Sequence, residues 1–202
     1  KLLINWRRCF EDEKFDGLSK EEEIGLIGEL TIIEKLFSKN IDPNNILSIW
    51  EGPSGGLHDF KDSKFLIEVK TFSKKKKKIK INNIDQLNYL FFSKLYLGCV
   101  ELEHNTLGET LLNIIDRINN DIFHERNLNE IFEEKLNQYG YFDIHRNYYQ
   151  TKFIVNKTSF YKVSEGFPTI LKKNILEGIS DISFSIDIDK IKNFHTNENF
   201  LN

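Results

Sequence analysis

Apolar side chains recur at three- and four-residue intervals from Ser19 to about Ser38, and Ser19 with Glu22 has capping-box spacing, which predicts a helix there. At about 100° per residue, Leu26, Leu30, Ile33 and Phe37 form one stripe with Glu29 at its border. Gly25 and Gly28 each weaken such a helix by about 1 kcal/mol against Ala, a cost tolerated where another segment comes close.

Asp42-Pro43-Asn44-Asn45 predicts a turn, Ile46 to Trp50 a short strand, and Gly52 to Gly56 a second break. Leu57 to Phe60 and Phe65 to Thr71 then form the arms of a hairpin around Lys61-Asp62-Ser63-Lys64. Beyond it the pattern predicts a brief strand at Ile79 to Ile81, a short helix at Ile84 to Phe92 and a largely apolar strand at Leu95 to Leu102. Helices are expected near Leu107 to Asn120 and Leu128 to Gln138. Lys152 to Val163 reads as strand around an Asn156-Lys157-Thr158 turn, and Ile182 to Ile188 alternates strictly. This mixed order predicts an α/β (α+β) layer fold. A core over residues 1–121, with an N-terminal lead-in, is expected to carry a helical and strand extension over 122–202.

The 202 residues, 40% of them hydrophobic, suffice for one domain with a small appendage. A net charge of -3 excludes a generally basic coat, so any nucleic-acid contact must be local. Such a place exists. Between Lys64 and Asn82 there are eight Lys against one acid, Glu68, and Lys74 to Lys78 are consecutive. Cys9 and Cys99 are too few for a disulfide framework and fit a reduced, cytoplasmic setting. No apolar run of about 18 residues predicts a membrane span, and Lys1 to Arg8 lacks the features of a secretory leader. Codon bias in an AT-rich gene accounts for the absence of Ala but not of Met, so the chain is expected to begin inside its gene or to have lost modified Met.

The hairpin concentrates the chemistry. With a two-residue turn at Asp62-Ser63, Asp59 lies opposite Leu66, Glu68 is its diagonal neighbour at about 7 to 8 Å, and Lys70 follows on the same face. Phe60, Phe65, Ile67 and Val69, with His58, fall on the other, apolar face, which assigns His58 to the core. Two carboxylates beside a lysine suit a hard divalent cation that keeps several waters, the lysine orienting one of them or facing the charge that builds on a phosphate. Glu29 is placed to add a third carboxylate. The same alternation also serves an ordinary exposed strand with no chemistry at all.

Asp59 followed by Glu68-Val69-Lys70, in a hairpin after a glutamate-bearing helix, resembles the PD-(D/E)XK nuclease superfamily. A restriction- or defence-associated bacterial branch is similar in further segments. These are Gly25-Leu26-Ile27-Gly28-Glu29-Leu30, Trp50-Glu51-Gly52-Pro53, His58-Asp59-Phe60, Glu68-Val69-Lys70-Thr71, Asp85-Gln86-Leu87, Leu95-Tyr96-Leu97 and Tyr161 to Pro168. Where the superfamily name has Pro-Asp, this chain has His58-Asp59, and Gln86 is followed by Tyr89 and Leu90.

The resemblance implies a restriction-endonuclease-like core, a central mixed sheet flanked by helices. It also implies metal on Asp59, Glu68 and the Val69 backbone carbonyl, assistance from Glu29, Lys70 beside the scissile phosphate, and a substrate contact from Gln86. Lys74, Lys75, Lys76, Lys77, Lys78 and Lys80 are expected to grip phosphates in a salt-dependent, sequence-blind way. The expectation is a Mg²⁺-dependent DNA endonuclease of restriction or phage-defence type, with Mn²⁺ as substitute. The alternative is a non-catalytic DNA-binding or assembly subunit working with a methyltransferase or motor protein. A homodimer is expected where two strands must be cut.

Overall fold

The computed structural model describes residues 17–92, 94–122 and 126–201, so the lead-in and Cys9 lie outside the described residues. The described chain is mixed α/β. In order it forms helices α1 (Lys20–Phe37) and α2 (Pro43–Ile49), strands β1 (Phe60–Lys61), β2 (Leu66–Phe72), β3 (Lys78–Ile81) and β4 (Leu95–Glu109), and helices α3 (Leu111–Asp121) and α4 (Arg126–Tyr139). Strands β5 (Phe153–Val163), β6 (Phe184–Asp187) and β7 (His195–Thr196) complete it. A five-stranded mixed sheet has the order β1-β2-β4-β5-β7, and β3 pairs with β6 in a separate two-stranded ribbon.

The chain packs as two compact units, each assembled from two stretches: Lys1–Gly56 with His104–Ile154, and Leu57–Glu103 with Val155–Asn202. The two units interleave along the chain. β4 and β5 are long enough for each to contribute to both units.

In the first unit, α1 starts where predicted. Ser19 Oγ accepts from the Glu22 backbone N–H at 3.2 Å while Glu22 accepts from the Ser19 N–H at 2.8 Å. Its buried residues run almost without break from Leu26 to Ile33, so it is buried all round there and not along one stripe. The strand expected at Ile46 to Trp50 is instead α2: Asp42 accepts from the N–H groups of Asn44 (2.7 Å) and Asn45 (3.3 Å), and Pro43 opens the helix. A short apolar run carries no period of its own, and the cap decides it. A Thr110–Asn113 capping box starts α3 four residues later than the pattern suggested, and α4 buries Leu128, Phe132 and Leu136 at helical spacing.

In the second unit, β1 and β2 are antiparallel with Phe60 opposite Ile67 and Lys61 opposite Leu66. The connection therefore holds four residues, Asp62 to Phe65, closed by Asp62 N–H donating to the Phe65 carbonyl at 2.9 Å. β2 runs parallel to β4, pairing Leu66, Glu68 and Lys70 with Leu95, Leu97 and Cys99. Those apolar partners join Ile79 and Ile81 of β3 and Ile186 of β6 in one buried cluster. The helix expected over Ile84 to Phe92 is a single 3₁₀ turn, Ile84–Leu87, because the Asn88 side chain accepts from the Leu90 N–H at 3.3 Å and competes with continuation. β5 is continuous through Asn156, whose amide donates to Glu101 Oε1 (3.3 Å) and Glu103 Oε2 (3.1 Å) of β4.

Candidate active site

The four-residue connection shifts the hairpin register by two positions from the expected one. Parity is kept. The observed register, carried one residue past Phe60, sets Asp59 directly across from Glu68, where cross-strand Cβ atoms are about 4.5 to 5.5 Å apart. Asp59 Oδ2 accepts the Val69 backbone N–H at 2.7 Å, so the carboxylate takes the place of a ladder carbonyl and is fixed by the strand it faces. Glu68 has 0% exposure, and its Oε1 lies 2.5 Å from Lys70 Nζ, two residues further along the same face.

The sequence expectation that this face is open while only the opposite one is apolar does not hold for Glu68. Glu68 is fully buried beside Leu97, its partner on β4, and Leu97 shares a buried cluster with the β3–β6 ribbon. The electrostatics follow. Burial, then the neighbouring Asp59 charge, push the Glu68 carboxyl up to about 8 against an opposing pull from Lys70. Burial also raises Asp59, against the Val69 N–H and Lys70. Two desolvated carboxyls share the field of one ammonium, which cannot neutralise both once they ionise, and Glu68 Oε2 is buried without a hydrogen-bond partner. A divalent cation fits that unneutralised charge, with Asp59, Glu68 and a backbone carbonyl as hard oxygen donors and water completing the shell. Among the described residues no three His, Cys, Asp or Glu side chains gather where one ion could be held, so this pair is the acidic set the second unit supplies.

The remaining expected residues are distributed as follows. Glu29, in the first unit, is 6% exposed, and its Oε2 accepts the Trp50 indole N–H at 2.6 Å, while Lys135 Nζ donates to the Trp50 carbonyl at 2.5 Å. Trp50 was legible as an apolar strand residue and as part of the Trp50-Glu51-Gly52-Pro53 resemblance, but nothing in the spacing marked it as the partner of Glu29. Gln86 is half-buried with its side-chain oxygen buried and unpartnered, and its backbone carbonyl lies 3.1 Å from His58 Nε2. His58 is buried as expected, with its ring edge-on to Phe92 at 5.2 Å, and so fastens the 84–92 segment to the residue beside Asp59. Cys99, opposite Lys70, is a buried free thiol whose ionisation burial suppresses.

The lysine run follows β2 as an exposed turn. Lys74 to Lys78 line an open groove of about 660 Å³ together with Asp187 and Asp189. Lys77 lies 3.3 Å from Asp189, which also holds Lys192 at 2.7 Å, and Lys78 pairs in register with Asp187. Lys80, exposed on β3, stands opposite Ser185. The run is therefore partly neutralised, which the one-dimensional charge count could not show.

A mixed five-stranded sheet within an α/β chain is the architecture of a restriction-endonuclease-like PD-(D/E)XK fold. Residues 1–189 match the model of a family described as "Putative PD-(D/E)XK family member, (DUF4420)", and the chain belongs to that family. PD-(D/E)XK proteins are in general nucleases, hydrolases that typically use divalent metals. Comparison with curated proteins and with solved structures gave no match. Among the described residues no helix is long and apolar enough to cross a membrane.

Proposed function

We propose that this protein is a divalent-metal-dependent endonuclease that hydrolyses DNA phosphodiesters, of restriction or phage-defence type and cytoplasmic. The observation that carries the reading is the buried Glu68 carboxylate across from Asp59 with the Lys70 ammonium 2.5 Å away. A purely structural strand gains nothing from desolvating two acids side by side, since burying a charge costs free energy that only a partner offsets.

In this reading Asp59, Glu68 and the Val69 carbonyl hold the cation, and Glu29 assists. The chemistry Mg²⁺, or Mn²⁺ in its place, would supply there is polarisation of the scissile phosphate and a more acidic water. Lys70 turns from Glu68 toward that water, orients it for in-line attack and faces the charge developing on the phosphoryl oxygens. Lys74, Lys75, Lys76, Lys77, Lys78 and Lys80 hold the phosphate backbone, and the Gln86 amide contacts the substrate. Were both strands of a duplex cut, two such sites and hence a homodimer would be needed.

The rival reading is a non-catalytic DNA-binding or assembly subunit of a system with a methyltransferase or motor component. It is favoured by the lack of a third acid around the pair among the described residues. Plasmid cleavage with Mg²⁺, Mn²⁺ or EDTA, with Asp59→Ala in parallel, separates the two. Nicking that disappears in EDTA and in the variant is expected. No cleavage, together with no calorimetric Mg²⁺ binding that depends on Asp59 and Glu68, would hand the case to the rival.

A further inference from the structure

Two large apolar side chains stand out of the segment that His58 ties to the candidate site: Leu90 is 50% exposed and Phe91 75% exposed. Their neighbours explain why they are held there. Leu87 is buried with Leu66, Leu95 and Leu97, and Tyr89 and Phe92 pack partly against the same cluster, so the segment lies on the sheet face that carries Glu68 and Lys70. Phe92 also meets the His58 ring at 5.2 Å, and His58 precedes Asp59. Phe91 is thus a solvent-facing ring between anchored residues, not the tip of a long loop.

Topology sets its place along β2. Phe91 comes four residues before Leu95, which pairs with Leu66 at the start of β2, whereas Lys74 comes two residues after Phe72 at the strand's other end. At about 3.3 Å per residue, β2 spans roughly 20 Å, with Glu68 and Lys70 between those ends. Along this line cations lie at one end and an exposed aromatic face at the other, and between them the buried Glu68 is flanked by Asp59 and Lys70, which keep some exposure. Phosphates are recognised by the cations and are irrelevant to the aromatic end, which offers only a π-face and a leucine beside it.

We infer that Phe91, backed by Leu90, is a stacking site for an unpaired nucleobase, so that the substrate of the proposed nuclease site is single-stranded or locally unstacked nucleic acid. The inference rests on the nuclease reading above. Bases inside an intact duplex have no free face, and a lone ring reaches one at an end, a gap, a flipped nucleotide or a single strand, or at a step it wedges open at the cost of unstacking.

The test is fluorescence anisotropy of the full chain with a labelled single-stranded oligonucleotide and its blunt duplex, in EDTA so that nothing is cut. Phe91→Ala is expected to weaken single-strand binding roughly 5- to 150-fold, the range base–aromatic stacking has elsewhere, with little change for the duplex. Phe91→Trp is expected to keep the affinity, and its added fluorescence to be quenched by the oligonucleotide; this variant also covers the case in which the alanine change disturbs folding. Unchanged single-strand affinity in Phe91→Ala overturns the inference. So does a shift from dimer to monomer at unchanged affinity, which would assign the patch to a second copy of the chain. A wild type that cuts plasmid but binds no single strand overturns it while leaving the nuclease standing. One that neither binds nor cuts removes both.

Discussion

Lys70 Nζ sits 2.5 Å from Glu68 Oε1, and Glu68 is the member of the pair with no exposed surface. The Lys70 side chain is 17% exposed, so the pair is not closed off on the lysine side. In this state the lysine answers part of the charge that a metal would answer in full. A cation held at Asp59 and Glu68 would free Lys70 for the work proposed for it.

Stability should fall as pH rises. The folded state holds Glu68 as a carboxylic acid up to about 8, whereas the unfolded chain releases that proton near its ordinary value of 4.5. The native state binds more protons between those values, so stability is fully present below about pH 4.5 and is lost progressively as pH rises toward 8. Asp59, also raised, adds a change of the same sign. Scanning fluorimetry in EDTA is expected to show the melting temperature dropping across this window, Mg²⁺ to restore it at the alkaline end, and Glu68→Gln to flatten the profile. A rising profile would mean the carboxyls are well solvated.

Replacing Lys70 by Met keeps the stem and removes the charge. Above about pH 8, where Glu68 is ionised, its desolvated carboxylate then loses the nearby cation, which should cost about 3 kcal/mol, the low end for breaking a buried ion pair. Urea unfolding with and without Mg²⁺ checks it, since a bound cation should recover part of the loss. Metal-dependent cleavage should not recover, because the water loses its orienting group.

Trp50→Phe isolates the contact that holds Glu29. The variant keeps an aromatic ring near Phe132, now 6.0 Å from it, and leaves the Trp50 carbonyl available to Lys135. It removes the indole N–H that donates to Glu29 at 2.6 Å. Taking that donor from a buried carboxylate should cost about 1 to 3 kcal/mol in denaturant midpoint analysis. A neutral result would mean that Glu29's other interactions carry it.

The parts of the fold legible in sequence were those governed by neighbours in the chain. Ser19 and Glu22 fixed the start of α1, and the even count between Asp59 and Glu68 placed both on one face. What escaped depended on distant partners or on a local choice between near-equal options. The four-residue connection Asp62 to Phe65 changes the register but not the parity, and one closing hydrogen bond from Asp62 to Phe65 selects it. Ile46 to Trp50 lacked a period, so Asp42 and Pro43 decided for helix. Glu68 pairs with Leu97, whose buried cluster includes Ile186, more than a hundred residues away, and no spacing within the hairpin could reveal that cluster.

Glycine substitutions separate a backbone approach from a side-chain one. A Cβ on Gly108 would lie 2.3 Å from the Phe153 carbonyl oxygen, where the backbones of β4 and β5 nearly touch and neither can turn aside. Gly108→Ala should therefore destabilise by about 2 kcal/mol or more, as overpacking does. On Gly25 the Cβ would meet only the Tyr139 hydroxyl, at 2.9 Å, the far end of a side chain. Gly25→Ala also gains about 1 kcal/mol of helix propensity, so its net effect should be near zero. Parallel thermal melts of the two variants provide the comparison.

The lysine run offers a graded test of how DNA is held. Lys77 already faces Asp189 at 3.3 Å, and Lys78 stands opposite Asp187, so these two have less free charge to give a phosphate than Lys74, Lys75 and Lys76. Each phosphate contact contributes about 0.9 to the slope of log affinity against log salt on duplex DNA. Alanine at Lys74, Lys75 and Lys76 together should reduce that slope by roughly 3 and weaken binding equally for unrelated sequences. Lys77→Ala should change it by less than a single contact, whereas Asp189→Asn should strengthen binding by releasing Lys77 and Lys192. Anisotropy titrations between low and physiological salt decide the matter. A Lys77→Ala slope change as large as one third of the triple variant's would show that the ion pair opens when DNA arrives.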